Sequence, residues 1–492
     1  NMSSVQKQKV VKTTIDTLEF GEIDAEKEGK YKKYKLPDGV DKGMMRSDIL
    51  TIALPSLVEL VLTSLTSMAD QIMVGRLPGQ LGVQALSAIG LCMNPKFILM
   101  TALMAINTGT TAVVARYRGM GNQEKANQTF KQSLIFNIFL SAIMMVIGVV
   151  FARELIGLIA GNGISETTVE YAVTYFRIQM YGFIPLMMTN TVTSTLRAIG
   201  DSKMPMVYNT IANVVNLFFN YGLIYGKLGM PEMDVAGASL ATVIGQCVAF
   251  VIAMYIMFSK KRYVYIDFKE KTGYNKTIMS NVLGIGLPSM LEQLCLRIGI
   301  IIYSRIVASL GDISYATHMV CMNIQSLTFM SGMAFQNSAT TLMGQSLGRR
   351  RLDMADNYTR MTRNISFWIS CIIGVVLALF GGQIVNIYNS TPEIVEMGGK
   401  LLAIVAITQP FQSSQFVTTG ALRGAGDTKY PAVVIFICTL IVRSVLGYIF
   451  VIQLNMGLVG AWFAIVVDQL LKTAMIFARY NTGKWRFFKL HN

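Results

Sequence analysis

The sequence predicts an all-α polytopic membrane protein with twelve transmembrane helices in two six-helix bundles related by a pseudo-twofold along the membrane normal. Three observations predict it. The 492 residues are 52% hydrophobic and only 14% charged, with mean hydropathy +0.47, too few polar groups to coat a soluble globule of this size. The apolar residues gather into runs long enough to cross a bilayer, at least about 18 residues each. The chain also repeats itself. Ile52-Ala53-Leu54-Pro55-Ser56-Leu57-Val58-Glu59 returns as Ile285-Gly286-Leu287-Pro288-Ser289-Met290-Leu291-Glu292, and Leu196-Arg197-Ala198-Ile199-Gly200-Asp201-Ser202-Lys203-Met204-Pro205 as Leu422-Arg423-Gly424-Ala425-Gly426-Asp427-Thr428-Lys429-Tyr430-Pro431. Gly237-Ala238 with Ala241 returns as Gly460-Ala461 with Ala464. The order is kept at offsets of 233, 226 and 223, so about half the chain is duplicated. Six spans per copy is an even number, so both copies enter the membrane in the same sense.

In chain order, residues 1–45 are polar and Lys-rich, with no apolar core or small-residue cleavage site. They read as a solvated or loosely docked cytoplasmic tail, not a signal peptide. Spans follow near 48–74, 84–107, 130–152, 169–194, 203–225 and 235–258, forming an N-terminal bundle over 46–258. A charged loop over 259–277 leads to spans near 278–308, 314–340, 364–388, 396–419, 430–453 and 457–479, a C-terminal bundle over 278–480, and a short tail over 481–492. Pro55 invites a kink in the first span, because proline removes a helical hydrogen bond.

The net charge of +15 lies mainly in alternate loops: Arg116, Arg118 and Lys125; Arg197 and Lys203; Lys260 to Lys276; Arg349 to Arg351; Arg423 and Lys429; Arg479, Lys484 and Arg486. This is the positive-inside pattern of a plasma-membrane protein with both termini cytoplasmic, and it argues against a nucleic-acid partner. External labelling is expected near Lys227 and Asn389 and not near Lys269. Cys92, Cys247, Cys295, Cys321, Cys371 and Cys438 all fall in apolar spans without metal spacing, and the histidines are His318 and His491. No catalytic constellation is legible, so an enzyme is not expected.

Ionisable groups within spans are expensive and therefore informative. Glu59 and Asp70 lie on the first span, Glu292, Arg297 and Arg305 on the seventh, Arg443 on the eleventh, Asp468 and Lys472 on the twelfth. Arg443, Asp468 and Lys472 are expected to neutralise one another. Glu59 and Glu292 occupy equivalent positions one turn after Pro55 and Pro288, so two carboxylates at similar depth on opposite walls would attract cations to a central cleft; the rival account is that Glu292 is neutralised by Arg297 or Arg443 and only packs. The positions equivalent to Asp70 and Asn220 are Tyr303 and Leu446, which suggests an ion site in the N-terminal half only. In the LRxxGDxKxP loops, glycine suits tight turns, aspartate a helix cap and proline a first turn, an anchoring role.

Ser67-Met68-Ala69-Asp70-Gln71-Ile72-Met73-Val74-Gly75-Arg76-Leu77 and the doubled loops, on twelve spans in parallel halves, resemble the multidrug and toxic compound extrusion (MATE) family over about residues 46 to 480. The resemblance implies efflux of organic cations in exchange for Na⁺ or H⁺, with no cofactor. It carries Asp70 over as the central carboxylate, with Asn216, Asn220 and Thr242 as neutral partners and a possible Na⁺ site among the four. Position 220 is Asn where one branch has a second Asp, and Gln412 stands where some members have an Asp, so the coupling ion stays open.

The expected function is cation-coupled antiport of amphipathic, cationic compounds across a bacterial inner membrane, by a monomer in contact with lipid. Glu59, Glu292, Gln412, His318, Met319 and Met322 are substrate-cleft candidates. A lipid-linked oligosaccharide or lipid flippase of the same superfamily is the alternative.

Overall fold

The computed structural model describes residues 12–21, 31–160, 164–267, 273–388 and 390–489; Lys269, Asn389 and His491 lie outside them. Helices α1 (Lys42–Gly75), α2 (Gln80–Gly119) and α3 (Gln123–Val150) supply the first three expected spans, followed by a short α4 (Ala152–Ala160). The fourth span is two helices, α5 (Glu166–Tyr181) and α6 (Phe183–Ala198), meeting at Gly182. There a Cβ would come within 2.7 Å of Gln246 Oε1 and 2.8 Å of Val243. Helices α7 (Lys203–Tyr225), α8 (Asp234–Phe258), α9 (Lys276–Ala308), α10 (Asp312–Gly348) and α11 (Leu352–Tyr388) are single spans. The tenth is broken between α12 (Pro392–Ala406) and α13 (Gln409–Ala425), bent by 51°. The eleventh starts as α14 (Lys429–Ile435), widens into π turns at Phe436–Val442 and Ile449–Gln453 around α15 (Arg443–Tyr448), and α16 (Gly457–Asn481) closes the series.

Among the described residues eight helices are long and apolar enough to cross a membrane singly, nine with the bent pair. Spans four, five and eight fall outside that count. Span four is split into two helices of 16 residues each, singly too short, and the apolar character of α7 is diluted by Asn209, Asn213, Asn216 and Asn220. Phe139, Val251, Trp368 and Leu379 are each more than 60% exposed, as expected of helix faces turned to lipid tails. The protein is a multi-pass helical membrane protein.

The chain forms two compact units. The first has Val58–Val114 and Asn122–Leu283 as its described parts; the second comprises Lys12–Leu57, Ala115–Gly121 and Gly284–Asn492. Helix α1 thus changes unit two residues after Pro55, and its start is tied into the second unit by the Ser338 hydroxyl, which donates to Ile49 O at 3.3 Å.

The described N-terminal tail is docked, not solvated. Thr14 N donates to Asp48 Oδ2 at 2.9 Å, and Asp16 pairs with Arg118 at 2.9 Å. The Tyr31 hydroxyl donates to Asp356 Oδ1 at 2.6 Å, and its ring packs edge-on to Trp485. Composition could not show this, because the anchors come from α1, the C-terminal end of α2, α11 and the C-terminal tail.

Candidate functional site

The doubled loop motif acts as a pair of clamps. In the first unit Arg197 pairs with Glu59 Oε2 at 2.7 Å while Asn209 Nδ2 donates to Glu59 Oε1 at 2.7 Å. In the second, Arg423 pairs with Glu292 Oε1 at 2.6 Å. The loop aspartates complete the pattern: Arg262 meets Asp201 and Arg479 meets Asp427, each at 2.6 Å. Gly200 and Gly426 adopt φ of +86° and +99°, the left-handed turn that glycine was expected to supply. The expected cap is minor, with Met204 N reaching Asp201 Oδ1 at only 3.4 Å. Glu59 and Glu292 are therefore corrected as cation attractors. Each negative charge is already met by a guanidinium, and both side chains are buried.

The four residues carried over by resemblance meet in the first unit. Asn220 Nδ2 donates to Asp70 Oδ1 and, at 3.0 Å, to Asn216 Oδ1. Asn216 Nδ2 donates to the Thr242 hydroxyl at 3.2 Å, which donates to Ala238 O at 3.0 Å. Asn216 and Asn220 are buried, whereas Asp70 is half-buried. Helix α7 is held to α1 here by Tyr225, whose hydroxyl donates to Met73 O at 2.7 Å. Asn220 Oδ1 is buried without a hydrogen-bond partner, an oxygen available to a cation or to a protonated Asp70 carboxyl. In the second unit the equivalents are Tyr303, Val442, Leu446 and Ile465, so this set has no counterpart there.

Sequence reasoning missed two features of the first unit. Lys96, inside the second span beside Pro95, donates through Nζ to Gln179 Oε1 at 2.6 Å and has no ion pair with a carboxylate among the described residues. Gln179 Nε2 in turn reaches Ser239 O at 3.4 Å, one turn before Thr242 on α8. A lysine in an apolar run was a legible signal, costing about 2.5 to 3.5 kcal/mol even on lenient insertion scales. The second feature is an amide cluster: Asn137 Nδ2 donates to Asn107 Oδ1 at 2.8 Å and to Thr191 Oγ1 at 2.7 Å, with Asn137 Oδ1 left unpartnered.

The second unit holds the expected triad. Arg443 Nε donates to Asp468 Oδ2 at 2.9 Å, and Lys472 Nζ lies 2.9 Å from the same oxygen. His318 is 2% exposed between the rings of Tyr303 and Trp462, so it is a core residue. Met319 and Met333 are exposed, while Met322 packs against the core around Leu377 and Leu401. Gln412 is buried with Oε1 unpartnered, lining a small crevice with Thr328, Ser370, Gln409 and Phe416.

The MatE family model matches residues 55–222 and 288–449, so each match begins on one of the two repeat prolines. Probable multidrug resistance protein NorM of Thermotoga maritima is 26% identical over 445 residues, covering 90% of this chain and 93% of that protein. Among solved structures, a MOP superfamily transporter from Pyrococcus furiosus aligns with TM-score 0.83 at 22% identity, covering 92% of this chain and 99% of that one. An outward-facing multidrug resistance MATE family transporter aligns with TM-score 0.82 at 22% identity over the same shares, a likeness of fold. With the family model spanning both repeats, this chain belongs to the MatE family, the multidrug and toxic compound extrusion transporters.

Proposed function

We propose that this protein is a secondary antiporter that exports amphipathic organic compounds, cationic ones among them, by alternating access in exchange for H⁺ or Na⁺. Asp70 is the group that exchanges the ion. The observation that carries this reading is the line Asp70, Asn220, Asn216, Thr242, in which one carboxylate meets amide and hydroxyl oxygens and one buried amide oxygen is unsatisfied. Such a site can take Na⁺ through oxygen ligands, or a proton on the carboxylate, and binding must compete with the Asn220 contact. The setting is a bacterial plasma membrane, with both termini and the 259–277 loop cytoplasmic and the protein acting as a monomer.

Dye export from proteoliposomes under a Na⁺ gradient alone, then a pH gradient alone, identifies the ion. Asp70→Asn should insert normally and lose gradient-driven export by about 100-fold, the scale of losing one essential coupling group. Export at the parent rate would place the coupling group elsewhere. A flippase reading gains support from Lys96, a cationic side chain inside a span with no carboxylate partner among the described residues. It predicts scrambling or translocation of an anionic lipid-linked sugar with no gradient-driven dye export.

A further inference from the structure

We infer that Lys96 is a substrate-recognition residue for an acidic group, so that the exported amphiphiles include zwitterions bearing a carboxylate. The inference deepens the transport reading above and rests on it. Lys96 lies 12 residues from the start of the apolar span at 84 and 11 from its end at 107, about 18 Å and 16 Å along the axis. A lysine stem cannot bridge either distance, so the ammonium does not snorkel to an interface as lysines near helix ends do.

Its surroundings do not neutralise it. Among the described residues Nζ donates to the neutral amide oxygen of Gln179, leaving two N–H groups for a ligand. Cys92, one turn earlier, is not a thiolate counter-ion, because its Sγ donates to Ala172 O at 3.1 Å. Glu59 is committed to Arg197 and Asn209, and Asp70 to Asn220. Lys96 is thus an ammonium within a span that has no carboxylate partner among the described residues, on a polar line that runs through Gln179 and Ser239 to the α8 turn carrying Thr242. Gln179 is 2% exposed and fixed by Ser239, so the ammonium is held by a buried amide. A carboxylate arriving there gains a charge-assisted hydrogen bond in a poorly hydrated setting, and an ester of the same molecule does not.

The test measures equilibrium binding to the purified protein in detergent, without any gradient. The probes are a zwitterionic rhodamine with a free carboxylate and its cationic methyl ester. The parent should bind the acid at least about tenfold more tightly than the ester, the scale of one charge-assisted hydrogen bond. Lys96→Met should bring that ratio to about one with ester affinity kept, and Lys96→Arg should preserve the preference, since the charge remains. Should Lys96→Met fail to fold, Lys96→Gln replaces it. Equal affinity of the parent for acid and ester overturns the inference, as does an unchanged ratio in the neutral variants. Asp70→Asn should leave the ratio intact, so loss of coupling and loss of acid recognition are separate results.

Discussion

Glu292 and Arg423 show how one contact changes the meaning of a residue. Read along the chain, Glu292 has Arg297 and Arg443 as candidate partners; in the fold it accepts from Arg423 at 2.6 Å and its Oε2 is buried without a partner. Removing one member of such a pair leaves an uncompensated charge, at a cost of about 3 to 5 kcal/mol. Glu292→Gln should therefore lower the melting temperature in detergent, while a double variant with Arg423→Met should recover most of the loss. Dye affinity should fall equally for charged and neutral substrates in the single variant. A selective loss of cationic dyes, with unchanged melting, would restore Glu292 as a cation attractor.

At the scale of helices, close approach is written in glycine. A Cβ on Gly348 would collide with the Arg116 carbonyl and come within 2.9 Å of the Gly119 Cα, and a Cβ on Gly119 would collide with the Gln345 carbonyl. The ends of α2 and α10 therefore touch backbone to backbone. Gly348→Ala must separate two carbonyl-lined surfaces with no flexible side chain to yield, an overpacking cost of about 1 to 3 kcal/mol. Gly284→Ala, where nothing lies within 4 Å, is the control and should melt as the parent does, apart from a small gain in helix propensity. Equal behaviour of the two variants would show that the crossing is not tight.

For the whole molecule, the tail and the topology are the testable features. Burial, with Asp356 beside it, pushes the Tyr31 phenol up from its ordinary value, so it stays a hydrogen-bond donor throughout the neutral range. Tyr31→Phe leaves Asp356 Oδ1 with Tyr480 alone, at 3.0 Å. It should weaken tail docking by about 1 to 3 kcal/mol, seen as faster amide exchange over residues 31–37. On a background without native cysteines, Lys227→Cys should react with an impermeant maleimide in intact cells and Arg350→Cys should not. Both side chains are exposed, so the contrast reports sidedness. Reaction of Arg350→Cys from outside would reverse the proposed orientation.

Much of this protein was determined by the sequence alone, and the reason is the bilayer. Hydrocarbon demands long apolar helices, so the twelve segments, their order and the duplication could be read without coordinates. The left-handed glycines of the loops were legible too, because that backbone requirement is local. Tertiary structure decided which charges are met. Arg197 and Glu59 are 138 residues apart in sequence and Arg423 and Glu292 are 131, and no periodicity specifies contacts over such separations. The same holds for the docked tail, for His318 between two aromatic rings, and for the line from Asp70 to Thr242, where motif resemblance named the residues and folding brought their oxygens together. Lys96 is the instructive omission: the residue was visible in its apolar run, and only the packing of α5 and α8 showed an ammonium held by a neutral amide.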